Sequence, residues 1–227
     1  MRTISICFFS LFLILLPIKA KDDKPKEEAE PIPTYGGTYL NVDLFNPISH
    51  FLGTRFIQGE ASVDVNIKNT IFPIIELGYG GVNYDNGDGL AYKSAAPFVR
   101  IGLNYNTMAK KRRENHFYIG ARYGFSAFKY DITSHGLSDP VWPDEIDFTR
   151  LGQKSFGQWI ELVAGIRVQI KGNFMMGWSI RLKRLISNTN HGDNEAWYVP
   201  GYGYSGTTAY GATYSIIYKF NPRKRDK

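Results

Sequence analysis

The stretch that decides the fold is TAYGATYSIIYKF, Thr208–Phe220. Taken two residues at a time, one face carries Tyr210, Ala212, Tyr214, Ile216, Tyr218 and Phe220. The other carries Gly211, Thr213, Ser215, Ile217 and Lys219. A period of two belongs to a strand with two different faces. The apolar face is aromatic-rich, and the stretch is as long as a tilted strand that crosses a bilayer, about 9–11 residues. A strand this close to the C-terminus still needs a partner for its free edge. In a closed barrel that partner is the first strand.

Working back from it, seven more stretches alternate in the same way. They are residues 38–45, 60–67, 73–81, 97–105, 116–128, 158–170 and 174–183. In 158–170, Ile160, Leu162, Ala164, Ile166, Val168 and Ile170 oppose Glu161, Gly165, Arg167 and Gln169, and Val163 is the one apolar intruder. Eight is the smallest even strand count of single-chain outer-membrane barrels. The connections are long after the first, third, fifth and seventh stretches and short after the second, fourth and sixth. All long loops then share one rim, which is the asymmetry of outer-facing loops against periplasmic turns. The expected fold is all-β, an eight-stranded antiparallel up-and-down transmembrane β-barrel over residues 38–220.

Alternation alone also fits a soluble secreted barrel with an apolar inside. The polar face argues against it, because glycine and serine dominate there instead of long polar chains. Its isolated charges nearly balance, five acids against six bases. Asp43, Glu60, Asp64, Glu76 and Glu161 stand against Arg100, Arg122, Arg167, Arg181, Lys183 and Lys219. Enclosed charges are tolerable only when paired. The expected interior network is Asp43, Asp64, Glu76, Arg100, Arg122, Glu161, Arg167 and Arg181.

The flanks fit export. Residues 1–20 read as a signal peptide, with Arg2 at the start, an apolar run at 4–16, Pro17 and Ala20. That run is short for a transmembrane helix. Cys7 sits inside it, without the small residues of a lipoprotein site, and as the only cysteine it excludes a disulfide framework. Residues 21–37, KDDKPKEEAEPIPTYGG, read as a charged periplasmic linker, and 221–227 as a basic periplasmic tail. The formal charge of +6 falls to +4 without Arg2 and Lys19. No basic tract interleaved with aromatics suggests a nucleic acid.

The strand motifs resemble an uncharacterised family of small outer-membrane barrels from Bacteroidota. They are YLNVDLFN (39–46), FPIIELGYG (72–80), FVRIGLNY (98–105), FYIGARYGF (117–125), WIELVAGIRV (159–168), MGWSIR (176–181) and YVPGYG (198–203). The layout is also similar to OmpA/OmpX-type eight-stranded barrels. The resemblance implies fold and location only, and no activity. The expected partners are outer-membrane lipids, lipopolysaccharide and the barrel-assembly machinery, and the expected state is a monomer.

Candidate chemistry is sparse. His50, His116, His135 and His191 are scattered, and Ser49 and Ser134 beside two of them do not make a catalytic pair. No histidines stand at ligand spacing, so no metal or cofactor is expected. The acidic DPVWPDEID segment at 139–147 reads as a solvated loop, and Lys110, Lys111, Arg112 and Arg113 as a solvated periplasmic turn. Trp142, Trp197, Tyr198, Tyr202 and Tyr204 are expected either as a loop interaction surface or as a rim on the lipid headgroups. The expected role is structural or interactive. A lipid-modifying enzyme or a transporter on the same barrel is the alternative.

Overall fold

A computed structural model describes residues 33–44, 56–87, 89–111, 114–138, 145–190 and 196–220. At 111, 135–138, 145–147 and 189–190 it describes the backbone only. The expected signal peptide, most of the linker and the basic tail lie outside the described residues.

The described residues form ten strands: β1 Tyr35–Asp43, β2 Phe56–Ile67, β3 Ile71–Asp85, β4 Leu90–Asn106, β5 His116–Ser138, β6 Glu145–Lys171, β7 Phe174–Asn190, β8 Tyr198–Val199, β9 Gly203–Tyr204 and β10 Thr208–Phe220. Eight of them close into an antiparallel ring in the order β1-β10-β7-β6-β5-β4-β3-β2. The seam runs from Thr38↔Phe220 to Asp43↔Ser215, so the last strand closes on the first. Among the described residues, β8 and β9 pair only with each other.

Turn chemistry fixes the lower rim. Lys68 and Asn69 both take positive φ, 52° and 54°, and the Thr70 amide donates to the Ile67 carbonyl at 3.0 Å. Two consecutive left-handed residues make the turn whose twist matches a hairpin. Between β6 and β7, Gly172 at φ 56° opens an equally tight turn.

The barrel is inside-out relative to a soluble core. Ile180 is 69% exposed and Leu162 61%, whereas Glu76 and Glu161 are each 2% exposed. Aliphatic side chains girdle the middle of the outer wall. Tyr105, Phe117, Phe174 and Phe220 ring the lower rim. An apolar band with aromatic girdles is what a bilayer requires of a barrel's outside. The structure is therefore an eight-stranded antiparallel up-and-down transmembrane β-barrel.

Several boundaries differ from the sequence-based expectation. β1 begins at Tyr35, inside the expected linker. The expected long loops after the third and fifth strands are largely strand, because β3 and β4 run on to Asp85 and from Leu90, and β5 and β6 to Ser138 and from Glu145. The reason is a swap of faces. Beyond the apolar belt, inward positions turn apolar at Phe128, Tyr130 and Ile132, while Lys93, Lys129 and Lys154 point outward and are exposed. Alternation persists there with its polarity reversed.

Candidate functional site

The lumen is filled in three layers. At the lower end, Tyr39, Phe72, Met175 and Ile217 pack together. Arg167 stands over them, its guanidinium 5.3 Å from the ring centre of Tyr39, 5.6 Å from Phe72 and 5.3 Å from Tyr118. It grips Asp64 through both nitrogens, at 2.7 and 2.9 Å. Asn41 donates to the same carboxylate at 2.8 Å. His116 stacks on Phe72 at 5.3 Å, with Nδ1 2.8 Å from the Glu114 carbonyl.

The middle layer is a carboxylate–guanidinium network. Glu76 is its hub, accepting from Arg100 at 2.9 Å, Arg122 at 2.9 Å and Arg181 at 2.7 Å. Glu60 accepts from Arg100 at 2.5 Å and Arg181 at 3.1 Å. Glu161 accepts from Arg181 at 3.1 Å and from the Trp159 indole at 2.7 Å. Arg122 spends its remaining donors on the carbonyls of Leu103 and Ala121 and on Asn104. Small inner positions make the room: a Cβ on Gly124 would lie 2.3 Å from the Trp159 ring. Between the two charged layers only about 30 Å³ stays open.

The sequence-expected network therefore splits. Glu76, Arg100, Arg122, Glu161 and Arg181 meet in one cluster, and Asp64 and Arg167 pair in another. Asp43 points inward and accepts the Tyr214 amide at 3.1 Å. Glu60 and Lys183 stand outside the expected network, yet both sit at the inner parity that marks its members. Trp159 shares its parity with Glu161.

The upper layer is the hairpin β8–β9, folded down into the mouth. Ala196, Tyr198, Val199 and Tyr202 are buried among Val82, Tyr92, Phe98, Phe128, Tyr130, Ile132 and Trp159. Gly201 and Gly203 take φ of 83° and 122°, which allows the chain to reverse in this space. The Tyr92 hydroxyl donates to the Tyr198 carbonyl at 3.2 Å, and Lys183 Nζ to the carbonyls of Gly201 at 2.8 Å and Tyr202 at 3.2 Å. Burial pushes the Tyr198 phenol above its ordinary range, so it stays neutral.

This placement corrects the expectation for the loop aromatics. Tyr198 and Tyr202 are neither an outer surface nor a headgroup rim, because the hairpin buries them in the lumen. Trp197 is partly exposed and stacks on Tyr92 at 5.5 Å, and Tyr204 is exposed, edge-on to Phe56 at 5.0 Å. Trp142, His50 and His191 lie outside the described residues, and so does the His135 side chain.

Beside the hairpin a chamber of about 580 Å³ opens at the upper rim. Arg100, Arg181, Lys183 and Glu60 line it, together with Phe56, Tyr204 and residues of β10 from Thr208 to Thr213.

No curated protein matches this sequence. Among solved structures, the chain is similar to a crystal structure of a major outer membrane protein from Thermus thermophilus. The two are 12% identical, with a TM-score of 0.45, covering 82% of this chain and 99% of that one. A family model described as a domain of unknown function matches residues 1–224, so the chain belongs to the DUF6048 family.

Proposed function

We propose that this protein is an exported, monomeric barrel of the outer membrane that works by binding at its outer mouth and not by conduction or catalysis. The observation that carries the reading is the filled lumen: among the described residues, two charged layers and an inward hairpin leave about 30 Å³ between the layers and about 580 Å³ in the chamber at the upper rim. An eight-stranded interior is just wide enough for side chains to fill it. The rim with the short turns, the start of β1 and the end of β10 faces the periplasm, and the rim with the chamber faces outward. Outer-membrane lipids, lipopolysaccharide and the barrel-assembly machinery are the partners. The origin in Bacteroidota and the likeness to OmpA/OmpX-type barrels belong to the same reading.

Planar-bilayer recording of the purified protein tests it. The expected trace shows no steady ion conductance. A stable open channel would make this a porin-like transporter. Lipid A composition, compared between wild type and a His50→Ala, His135→Ala double variant, is expected to be unchanged. A difference would establish the enzyme reading.

A further inference from the structure

Two lysines face each other on the outside of the wall. In the β5–β6 register Lys129 stands directly opposite Lys154, and both point outward and are exposed. Neither takes part in an ion pair among the described residues. Asp131, two positions further up β5, stands opposite Lys93 of β4, and its carboxylate accepts the Gly152 amide at 2.7 Å. Lys93, Lys129 and Lys154 thus share this patch with one aspartate. Like charges directly opposite each other weaken a sheet. An anion seated between the two ammonium groups turns that repulsion into a pair of charge-assisted hydrogen bonds.

The level of the pair follows from the strand below it. β5 from Phe117, in the lower aromatic ring, to Lys129 is about 40 Å long at about 3.3 Å per residue. At a tilt of about 40° that is about 30 Å of height, just past an apolar band about 25 Å tall. The outward rungs change in the same order. Tyr123 stands opposite Ile160, Phe125 opposite Gln158, Ala127 opposite Phe156, and then Lys129 opposite Lys154. Phe125 and Phe156 are in contact at 6.5 Å, and the Tyr123 hydroxyl donates to Gln158. Apolar wall, aromatic rung and cations therefore succeed one another as acyl chains, interface and phosphates do in a leaflet.

We propose that Lys129 and Lys154 hold a phosphate of lipid A, the lipid anchor of lipopolysaccharide, with its acyl chains lying down the wall past Phe156, Phe125 and Ile160. This rests on the outward orientation of the upper rim proposed above and adds to it the site and the recognised group. The facing leaflet is the one that carries lipopolysaccharide, which is why the phosphate is assigned to lipid A and not to a phospholipid.

The test is native mass spectrometry of the purified mature protein in non-ionic detergent, with diphosphorylated lipid A, dephosphorylated lipid A and phosphatidylglycerol as probes. Diphosphorylated lipid A is expected to bind about tenfold or more tightly than either of the others. Lys129→Gln with Lys154→Gln should remove that preference, and Lys129→Arg with Lys154→Arg should keep it. Heat-modifiable migration shows whether each variant is assembled. If the double glutamine variant is not, Lys129→Gln alone decides. It should weaken lipid A binding yet raise the urea midpoint in lipid-free detergent, because the repulsion is gone. Equal binding of dephosphorylated lipid A, or unchanged binding in the glutamine variants, means partition of acyl chains and overturns the proposal. Equal and lysine-dependent binding of phosphatidylglycerol means a general anionic-lipid surface and overturns the assignment to lipid A. Absence of binding overturns it as well. Conductance tests the closed barrel and surface tags test its orientation, so a failure of this site is distinguishable from a failure of that reading.

Discussion

At the scale of single residues, the two charged layers differ in how they can be dismantled. Asp64 and Arg167 are a one-to-one pair, whereas Glu76 serves three guanidiniums. Removing one partner of an enclosed pair strands the other, at about 3–5 kcal/mol where the site is dry. Asp64→Leu alone should therefore lower the urea midpoint of the barrel in detergent, and Asp64→Leu with Arg167→Met should recover most of the loss. Glu76→Ala and Glu161→Ala should also lower it. Removing Arg100 or Arg181 should not rescue Glu76→Ala, because each keeps Glu60 as a partner and it is Arg122 that stays unpaired. Equal recovery in both layers would refute the hub arrangement.

At the scale of elements, the hairpin β8–β9 is held by close contact with the wall. A Cβ on Gly157 would lie 2.4 Å from Val199 Cγ1, while one on Gly59 meets nothing within 4 Å. Gly157→Val should expel the hairpin and make residues 196–206 sensitive to protease added to intact cells. Gly59→Val should leave them protected. The parity of the strands was legible in the sequence, and for Thr208–Phe220 even the boundaries were. The positions of Glu76, Arg100, Arg122, Glu161 and Arg181 followed from that parity, because an inner charge needs a partner. Strand length on the upper side was not legible. Where the wall leaves the lipid, outward residues such as Lys129 become polar and inward ones such as Tyr130 pack on the hairpin, so the strand no longer shows an apolar outer face. The inward fold of Tyr198 and Tyr202 was hidden for a related reason. Its partners Tyr92, Phe98 and Trp159 come from distant strands, and only the positive-φ glycines Gly201 and Gly203 hint at a reversal.

At the scale of the whole molecule, closure is the condition for stability in lipid, because an open edge would leave backbone donors and acceptors unmet. Deleting residues 210–220 should abolish assembly. Loss of the protein from the outer-membrane fraction, with loss of heat-modifiable migration on gels, is the expected readout. A truncated chain that stays protease-resistant in that fraction would show another strand closes the ring. The full-length protein should fractionate with the outer membrane and shift its migration on heating. Recovery from the soluble periplasm would refute the transmembrane reading. Tags near Asp88, Asp144 and Asp193, which lie outside the described residues, should be reachable on intact cells, and one near Arg112 should not.

The seam between β1 and β10 also gives the barrel a mechanical character. Among the described residues it is short, from Thr38↔Phe220 to Asp43↔Ser215, while the β5–β6 pairing extends from His116↔Arg167 to Ser138↔Glu145. The start of β1 and the end of β10 meet at the same rim, so tension drawing the two chain ends apart loads the seam at one end. Its bonds then break in succession, like a zipper, instead of sharing the load. The β5–β6 wall, tied over a greater height, keeps its register while the seam peels. Force applied from the periplasmic side therefore has a built-in point of first rupture, and the cylinder unrolls from there.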